Sequence, residues 1–180
     1  MKKTFILTAA IALAFGAVAN AANPSTGGTL ALTGEVDGSI SLKIQNEGGI
    51  TLASGLNTNA ATATVPAVSY YGTADGSVGS GWTKGHDTSN ITMSGDFQVQ
   101  VDQANTGSTG YTLSAALQSS DSLTWTLNGT TVQNGSSAQL TATGTYGSPV
   151  NQTLEIKVPT SVGSSSTAIS NTINFTATAN

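Results

Sequence analysis

Hydrophobic and polar residues alternate over a long stretch near the start of the chain, Gly27–Gln45. Every even position within Leu30–Ile44 is apolar or glycine, and every odd position except Ala31 is polar. A period of two places alternate side chains on opposite faces of a β-strand. The pattern therefore predicts that this stretch is extended and half-buried.

Two glycines on the apolar face leave the role of this stretch open. Gly34 and Gly38 have no side chain to bury, and they divide the stretch into Leu30–Val36 and Ile40–Ile44. One interpretation is a single intramolecular strand that bends at a bulge and passes between two sheets. It is favoured because only about eight residues of a processed chain would precede residue 30, which is little length for an arm.

The second interpretation is a donor-like strand within residues 22–36, followed by the domain's own first strand. A strand that is donated to another subunit binds through its main chain and fills pockets with alternate side chains. The residues predicted to fill those pockets are Leu30, Leu32 and Val36.

The period of two recurs along most of the chain. Ile91–Asp102 and Tyr111–Leu117 alternate clearly, so residues 95–117 are predicted to form a hairpin. Asn128-Gly129 is the strongest short hairpin signal, and residues 75–90 form the longest loop-like stretch. We expect roughly nine strands at the spacing typical of a β-sandwich or barrel, and no helix after the N-terminal segment.

The first residues are typical of a secretory signal peptide. A positive Met1-Lys2-Lys3 precedes a short apolar run, Thr4–Val18, and an A-x-A cleavage site, Ala19–Ala21. The apolar run is too short to span a membrane comfortably. We therefore expect residues 1–21 to be removed, and residues 22–180 to form one exported domain without membrane insertion.

Charge and cysteine content limit the partners. After removal of the signal peptide, only Lys43, Lys84 and Lys157 remain against nine carboxylates, and the chain has no arginine. Binding to nucleic acid or to an anionic membrane surface needs clustered Lys and Arg, so we expect neither partner. The chain has no cysteine, so it forms no disulfide.

The sequence contains no complete set of catalytic residues. His86 and Asp87 are adjacent in the 75–90 loop, but no nucleophile motif accompanies them. One histidine and no cysteine cannot build a zinc site, and the spacing of a calcium loop is missing. We expect neither an enzyme nor a cofactor or bound metal. The favoured interpretation of Trp82 is a buried residue that caps the sandwich, and the alternative is a ligand loop built from Trp82, His86 and Asp87.

The order of motifs resembles the spore coat protein U family, which contains secreted pilin-like proteins of archaic chaperone–usher systems. The resemblance spans residues 71–180, and the early cysteines usual in that family are missing here. The motifs that carry it are Tyr71-Gly72, Phe97–Val101, Gly110–Leu113, Leu123–Leu127, Leu154–Pro159 and Asn171–Thr178.

The resemblance implies an immunoglobulin-like antiparallel β-sandwich of eight to nine strands from which one strand is missing. It further implies that a periplasmic chaperone, and then a neighbouring subunit, fills the gap by β-augmentation. The expected function is a non-catalytic structural or adhesive surface protein of the pilin or coat-subunit type. The alternative is a stand-alone extracellular β-sandwich binding module, with carbohydrate as a ligand class.

Overall fold

The computed structural model describes residues 38–45, 48–53, 59–104, 106–160 and 169–180. These residues form strands and connections without any helix, and thus nothing in them qualifies as a membrane-crossing helix. The strands are β1 (Ser39–Gln45), β2 (Gly76–Gly79), β3 (Trp82–His86), β4 (Asn90–Ala104), β5 (Tyr111–Leu117), β6 (Thr124–Leu127), β7 (Thr130–Val132), β8 (Ala138–Gly144), β9 (Val150–Pro159) and β10 (Ile173–Ala179).

The strands form two antiparallel sheets. The larger sheet has the order β2-β3-β4-β9-β6-β7, with β1 also paired to β4, and the smaller sheet has the order β10-β5-β8. The predicted all-β, antiparallel class is confirmed, and the arrangement is consistent with a β-sandwich. The described residues contain ten strands rather than eight or nine.

Strand β4 organises the larger sheet because it is long enough to hold three neighbours. Strand β9 pairs with residues 90–99 on one edge. On the other edge β3 pairs with residues 91–94 and β1 with residues 98–104. Between β3 and β1, the backbone N–H of Ile50 donates to the carbonyl of Asp96 at 2.8 Å, so residues 48–50 continue that edge.

Alternate residues of the long strands build the core. Each odd position of β4 from Met93 to Val101 is buried, and β5 buries every second residue. The buried apolar residues are Ile50, Trp82, Met93, Phe97, Val99, Val101, Tyr111, Leu113, Ala115, Leu117, Trp125, Leu127, Val132, Leu154 and Ile156. The hydrophobic effect on these side chains is the main force that joins the sheets.

The predicted hairpin at residues 95–117 is wrong. Strand β4 lies in the larger sheet and β5 in the smaller one, so the two do not pair. Alternation is the same for strands that pair within a sheet and for strands that face each other across a core. The connection after Ala104 therefore crosses from one sheet to the other.

The predicted loop at residues 75–90 is also wrong, because β2 and β3 form a hairpin there. Ser80 and Gly81 occupy its turn with φ values of 52° and 75°. Two consecutive positive φ angles define the type I′ turn that suits the twist of a hairpin. The same turn at Asn128-Gly129, with φ values of 49° and 77°, confirms the predicted hairpin between β6 and β7.

The second half of the N-terminal alternating stretch belongs to the larger sheet. Ile40–Ile44 lies within β1, and its alternate side chains pack against the core. Leu30, Leu32 and Val36 lie outside the described residues, as does the predicted domain start at residue 22. The described residues all belong to one compact unit, Val36–Asn180.

Candidate functional site

Strand β10 has one edge without a partner among the described strands. Its other edge pairs with β5, from Ile173 opposite Leu117 to Ala179 opposite Tyr111. The sequence of β10, INFTATA, contains none of the lysines or prolines that commonly protect an exposed edge. As far as the described strands go, this edge is therefore open to pairing with a further strand.

The hydrogen-bond pattern shows which backbone groups point toward that edge. Gln118 N–H donates to the Thr172 carbonyl, and Asn180 N–H donates to the Gly110 carbonyl, so even-numbered residues bond to β5. In an antiparallel pair, successive residues direct their N–H and C=O groups to opposite sides. The backbone groups of Ile173, Phe175 and Ala177 therefore point away from β5.

The side chains of the same three residues pack against the core. An apolar groove of about 330 Å³ opens beside two of them, Ile173 and Phe175. The described residues that line it are Ile44, Ile50, Leu52, Ala61, Thr62, Ala63, Val65, Trp82, Phe97, Trp125, Leu154, Ile156, Ile169, Ser170, Asn171, Thr172, Ile173 and Phe175. None of these described side chains is charged.

The groove and the free edge together can hold an extended chain. A strand placed beside β10 would bond to the outward backbone groups and direct every second side chain into the groove. Phe175 is the larger of the two β10 side chains that line the groove, and its ring meets Phe97 edge to face at 5.9 Å between centroids. The chemistry that this site offers is recognition of an alternating apolar segment.

Trp82 lies in a strand rather than in a loop. It begins β3, it is 1% exposed, and it is one of the residues that line the groove. His86 ends the same strand and is exposed at the far end of the hairpin, and Asp87 follows it.

Apart from the groove, a polar cluster forms around His86 and a buried lysine, Lys84. The side chain of Lys84 is fully buried, and its Nζ donates to Asp75 Oδ1 at 2.8 Å and to the carbonyl of Thr73 at 2.8 Å. His86 Nδ1 lies 2.8 Å from the same Asp75 carboxylate. The hydrogen bond from Lys84, followed by that from His86, lowers the pKa of Asp75 below its ordinary value.

The Asp87 carboxylate stabilises the turn that follows it and does not bond to His86. Its Oδ1 accepts the backbone N–H groups of Ser89 at 2.7 Å and Asn90 at 2.8 Å. These bonds, that of Ser89 above all, lower the pKa of Asp87. The side chains of His86 and Asp87 thus bond to different segments, and the structure does not combine them into an acid–base pair.

Two tyrosines, Tyr70 and Tyr71, lie next to this polar cluster. Tyr70 packs edge to face against Tyr71 at 4.6 Å and against His86 at 4.8 Å between ring centroids. Its hydroxyl donates to the carbonyl of Asp87. Tyr71 is 93% exposed, so its ring offers a free aromatic face to solvent.

Sequence reasoning missed both Lys84 and the groove. Trp82, Lys84 and His86 are alternate residues of β3, so a strand assignment for this segment would have placed Lys84 beside the core. In the described parts of the chain, no three His, Cys, Asp or Glu residues are grouped closely enough to hold a metal ion. Comparison of the chain with known protein families, with curated proteins and with solved structures finds no match.

Proposed function

We propose that this chain is an exported, non-catalytic structural subunit of a surface layer or fibre, in which a β-strand inserted beside β10 links copies. The observation that carries the proposal is the free edge of β10 above an uncharged apolar groove. Exposed apolar edges promote aggregation, so a secreted protein needs a strand to cover this one. A free strand edge beside an apolar groove is what an immunoglobulin-like sandwich with one strand missing would present.

The segment with the required pattern is Leu30–Val36. It presents Leu30, Leu32 and Val36 at alternate positions, with Gly34 between them, and its single charged residue, Glu35, is at an odd position. Such a segment supplies main-chain hydrogen bonds on both edges and apolar side chains on one face. During export, a periplasmic chaperone with its own alternating strand would protect the groove in the same way.

The test compares two aspartate substitutions in the mature chain. Leu32→Asp puts a charge on the face that enters the groove, whereas Thr33→Asp puts the same charge on the opposite face. Burying an unpaired carboxylate is costly, so we expect Leu32→Asp to abolish strand insertion. The readouts are gel filtration and gel electrophoresis without boiling.

We expect the wild type and Thr33→Asp to give ladders of linked copies, and Leu32→Asp to give folded monomer. Equal ladders in the two variants would refute insertion of the even-numbered face of Leu30–Val36 into the groove. A wild type that stays monomeric at every concentration would refute assembly by strand exchange.

Tyr71 supports the second candidate function, an extracellular carbohydrate-binding module. Its 93% exposed ring, braced by Tyr70, has the geometry that stacks on a sugar face. Binding to a glycan array that disappears in Tyr71→Ala would favour this function. The groove favours the first function because most of its described lining side chains are apolar and none of them is charged.

A further inference from the structure

We infer that the outer face of the smaller sheet is a second contact surface, through which two copies of the chain meet with identical faces. This inference goes beyond the proposed function, which concerns the free edge of β10 and the groove beside it. The surface belongs to strands β5, β8 and β10, which all lie within the compact unit Val36–Asn180.

The outer face of the smaller sheet is built from residues that alternate with core positions. Every second residue of β5 is buried, and the residues between them are half-buried on the opposite side. In β10, Ile173, Phe175 and Ala177 pack against the core, and the residues between them are exposed. The antiparallel register brings the outward residues of the two strands together in cross-strand pairs. This surface, the neutral face, consists of Thr112, Ser114, Ala116, Asn174, Thr176 and Thr178.

Charge is distributed unequally between the two sheets. The strands of the smaller sheet, β5, β8 and β10, contain no charged residue. The outer face of the larger sheet carries charges on β1, β4 and β9. The charged residues there are Lys43, Asp96, Asp102, Glu155 and Lys157. Contact between copies through the larger sheet would remove water from these groups, which is a cost that contact through the neutral face avoids.

Hydroxyl groups make the neutral face complementary to itself. Four of its six residues are Ser or Thr, and Asn174 adds an amide. A hydroxyl group and an amide each offer both a donor and an acceptor. Two identical faces related by a two-fold axis can therefore exchange hydrogen bonds with each other. A charged partner would find no counter-charge on this surface, so its chemistry selects a neutral partner such as the same face of a second copy.

The area of the neutral face determines how strong the contact is. The three strands have seven residues each, so each is about 20 Å long, and neighbouring strands lie about 4.8 Å apart. Their outer face therefore covers roughly 300 Å² per copy. Two copies would bury roughly 600 Å², whereas specific stable interfaces bury roughly 1,200–2,000 Å². Single copies therefore do not form a stable pair through this face.

Linking of copies turns this weak contact into a stable one. This step rests on the proposed function, because copies that are linked beside β10 present one neutral face each along the assembly. Once two assemblies touch at one pair of faces, the next pairs meet at a high effective concentration. The expected result is side-by-side association of fibres, through a surface distinct from the edge that links the copies.

Single cysteines test the contact in the mature chain, which has no natural cysteine. Thr176→Cys places a thiol on the neutral face, and Thr131→Cys places one at an exposed position of β7 in the larger sheet. Both residues are exposed threonines of strands at the end of a sheet, so the variants are matched. After treatment of the concentrated protein with a short bis-maleimide and boiling, we expect covalent dimers from Thr176→Cys and almost none from Thr131→Cys.

Thr176→Lys tests the same surface through charge, with Thr131→Lys as the control. Each substitution adds one positive charge to an acidic chain, so general repulsion between copies falls equally in both. An unpaired ammonium group is costly to bury between two neutral faces. We expect Thr176→Lys to lose side-by-side association in electron micrographs while its ladders persist, and Thr131→Lys to keep both.

Each contrary result has a distinct meaning. Equal cross-linking of the two cysteine variants overturns the inference, and persistent ladders in that case leave the proposed function intact. Preferential cross-linking at residue 176 in a protein that never forms ladders upholds the contact and refutes the proposed assembly. Wild-type binding to insoluble cellulose or chitin that only Thr176→Lys loses, without cross-linking at residue 176, assigns the neutral face to a polysaccharide and overturns the contact between copies.

Discussion

Lys84 joins residues 70–75 to β3 through one buried ammonium group. Its Nζ donates to the carbonyls of Tyr70, at 3.4 Å, and Thr73, at 2.8 Å, and to the carboxylate of Asp75. A buried charge is tolerated only when it is paired and hydrogen-bonded, and Asp75 supplies the counter-charge. At the scale of residues, this pair holds the segment before β2 against β3.

The substitution Asp75→Asn tests this role. It leaves the buried ammonium of Lys84 without its counter-charge, so we expect a lower urea midpoint than that of the wild type at pH 7. Because the pKa of Asp75 is lowered in the folded state, its contribution is complete above the ordinary carboxyl pKa of about 4. The contribution disappears as pH falls through the lower, folded-state pKa.

Urea titrations at several pH values measure this difference, with Glu155→Gln as the matched control. Glu155 pairs with Lys157 at 3.2 Å in a solvent-accessible position, so its loss should change the midpoint little. A difference between wild type and Asp75→Asn that stays constant from pH 7 to pH 2 would contradict the account.

At the scale of elements, strong alternation was sufficient to predict β4, β5 and β10 from the sequence. The β2–β3 hairpin was missed because four glycines within residues 76–85 weaken the strand signal. Alternation also carries no information about sheet order, and so the pairing of β4 with β5 was predicted wrongly. The groove depends on that order, since it exists only because β10 ends its sheet.

The segment between β1 and β3 depends on the absence of a side chain at Gly49. A Cβ placed there would lie 1.9 Å from the carbonyl oxygen of Asp96, whereas one at Gly85 would meet nothing within 4 Å. We expect Gly49→Ala to destabilise the fold by about 1–3 kcal/mol, because backbone must shift. Gly85→Ala should change stability by about 0.5 kcal/mol or less.

Chemical denaturation of the two variants measures these free energies of unfolding. Residues 48–50 contribute Ile50 to the groove wall, so Gly49→Ala should also weaken strand insertion. Equal stability of Gly49→Ala and Gly85→Ala would show that residues 48–50 do not pack along β4 in solution.

At the scale of the whole molecule, the two sheets formed by the described residues enclose a core, and an apolar groove opens beside β10. The free edge of β10 and the apolar groove are adjacent, and both call for the same kind of occupant, an extended segment with alternate apolar residues. The sequence places such a segment just before β1. Its alternation was recognised from the sequence, but the surface that it matches required the arrangement of strands.

Amide hydrogen exchange along β10 of the mature chain tests the central claim most directly. The even-numbered residues Asn174 and Thr176 bond to β5, so their amides should be protected in the wild type and in Leu32→Asp alike. The amides of Phe175 and Ala177 point to the free edge. The account predicts that they are protected in the wild type and exchange rapidly in Leu32→Asp. Equally rapid exchange of these two amides in both proteins would contradict it.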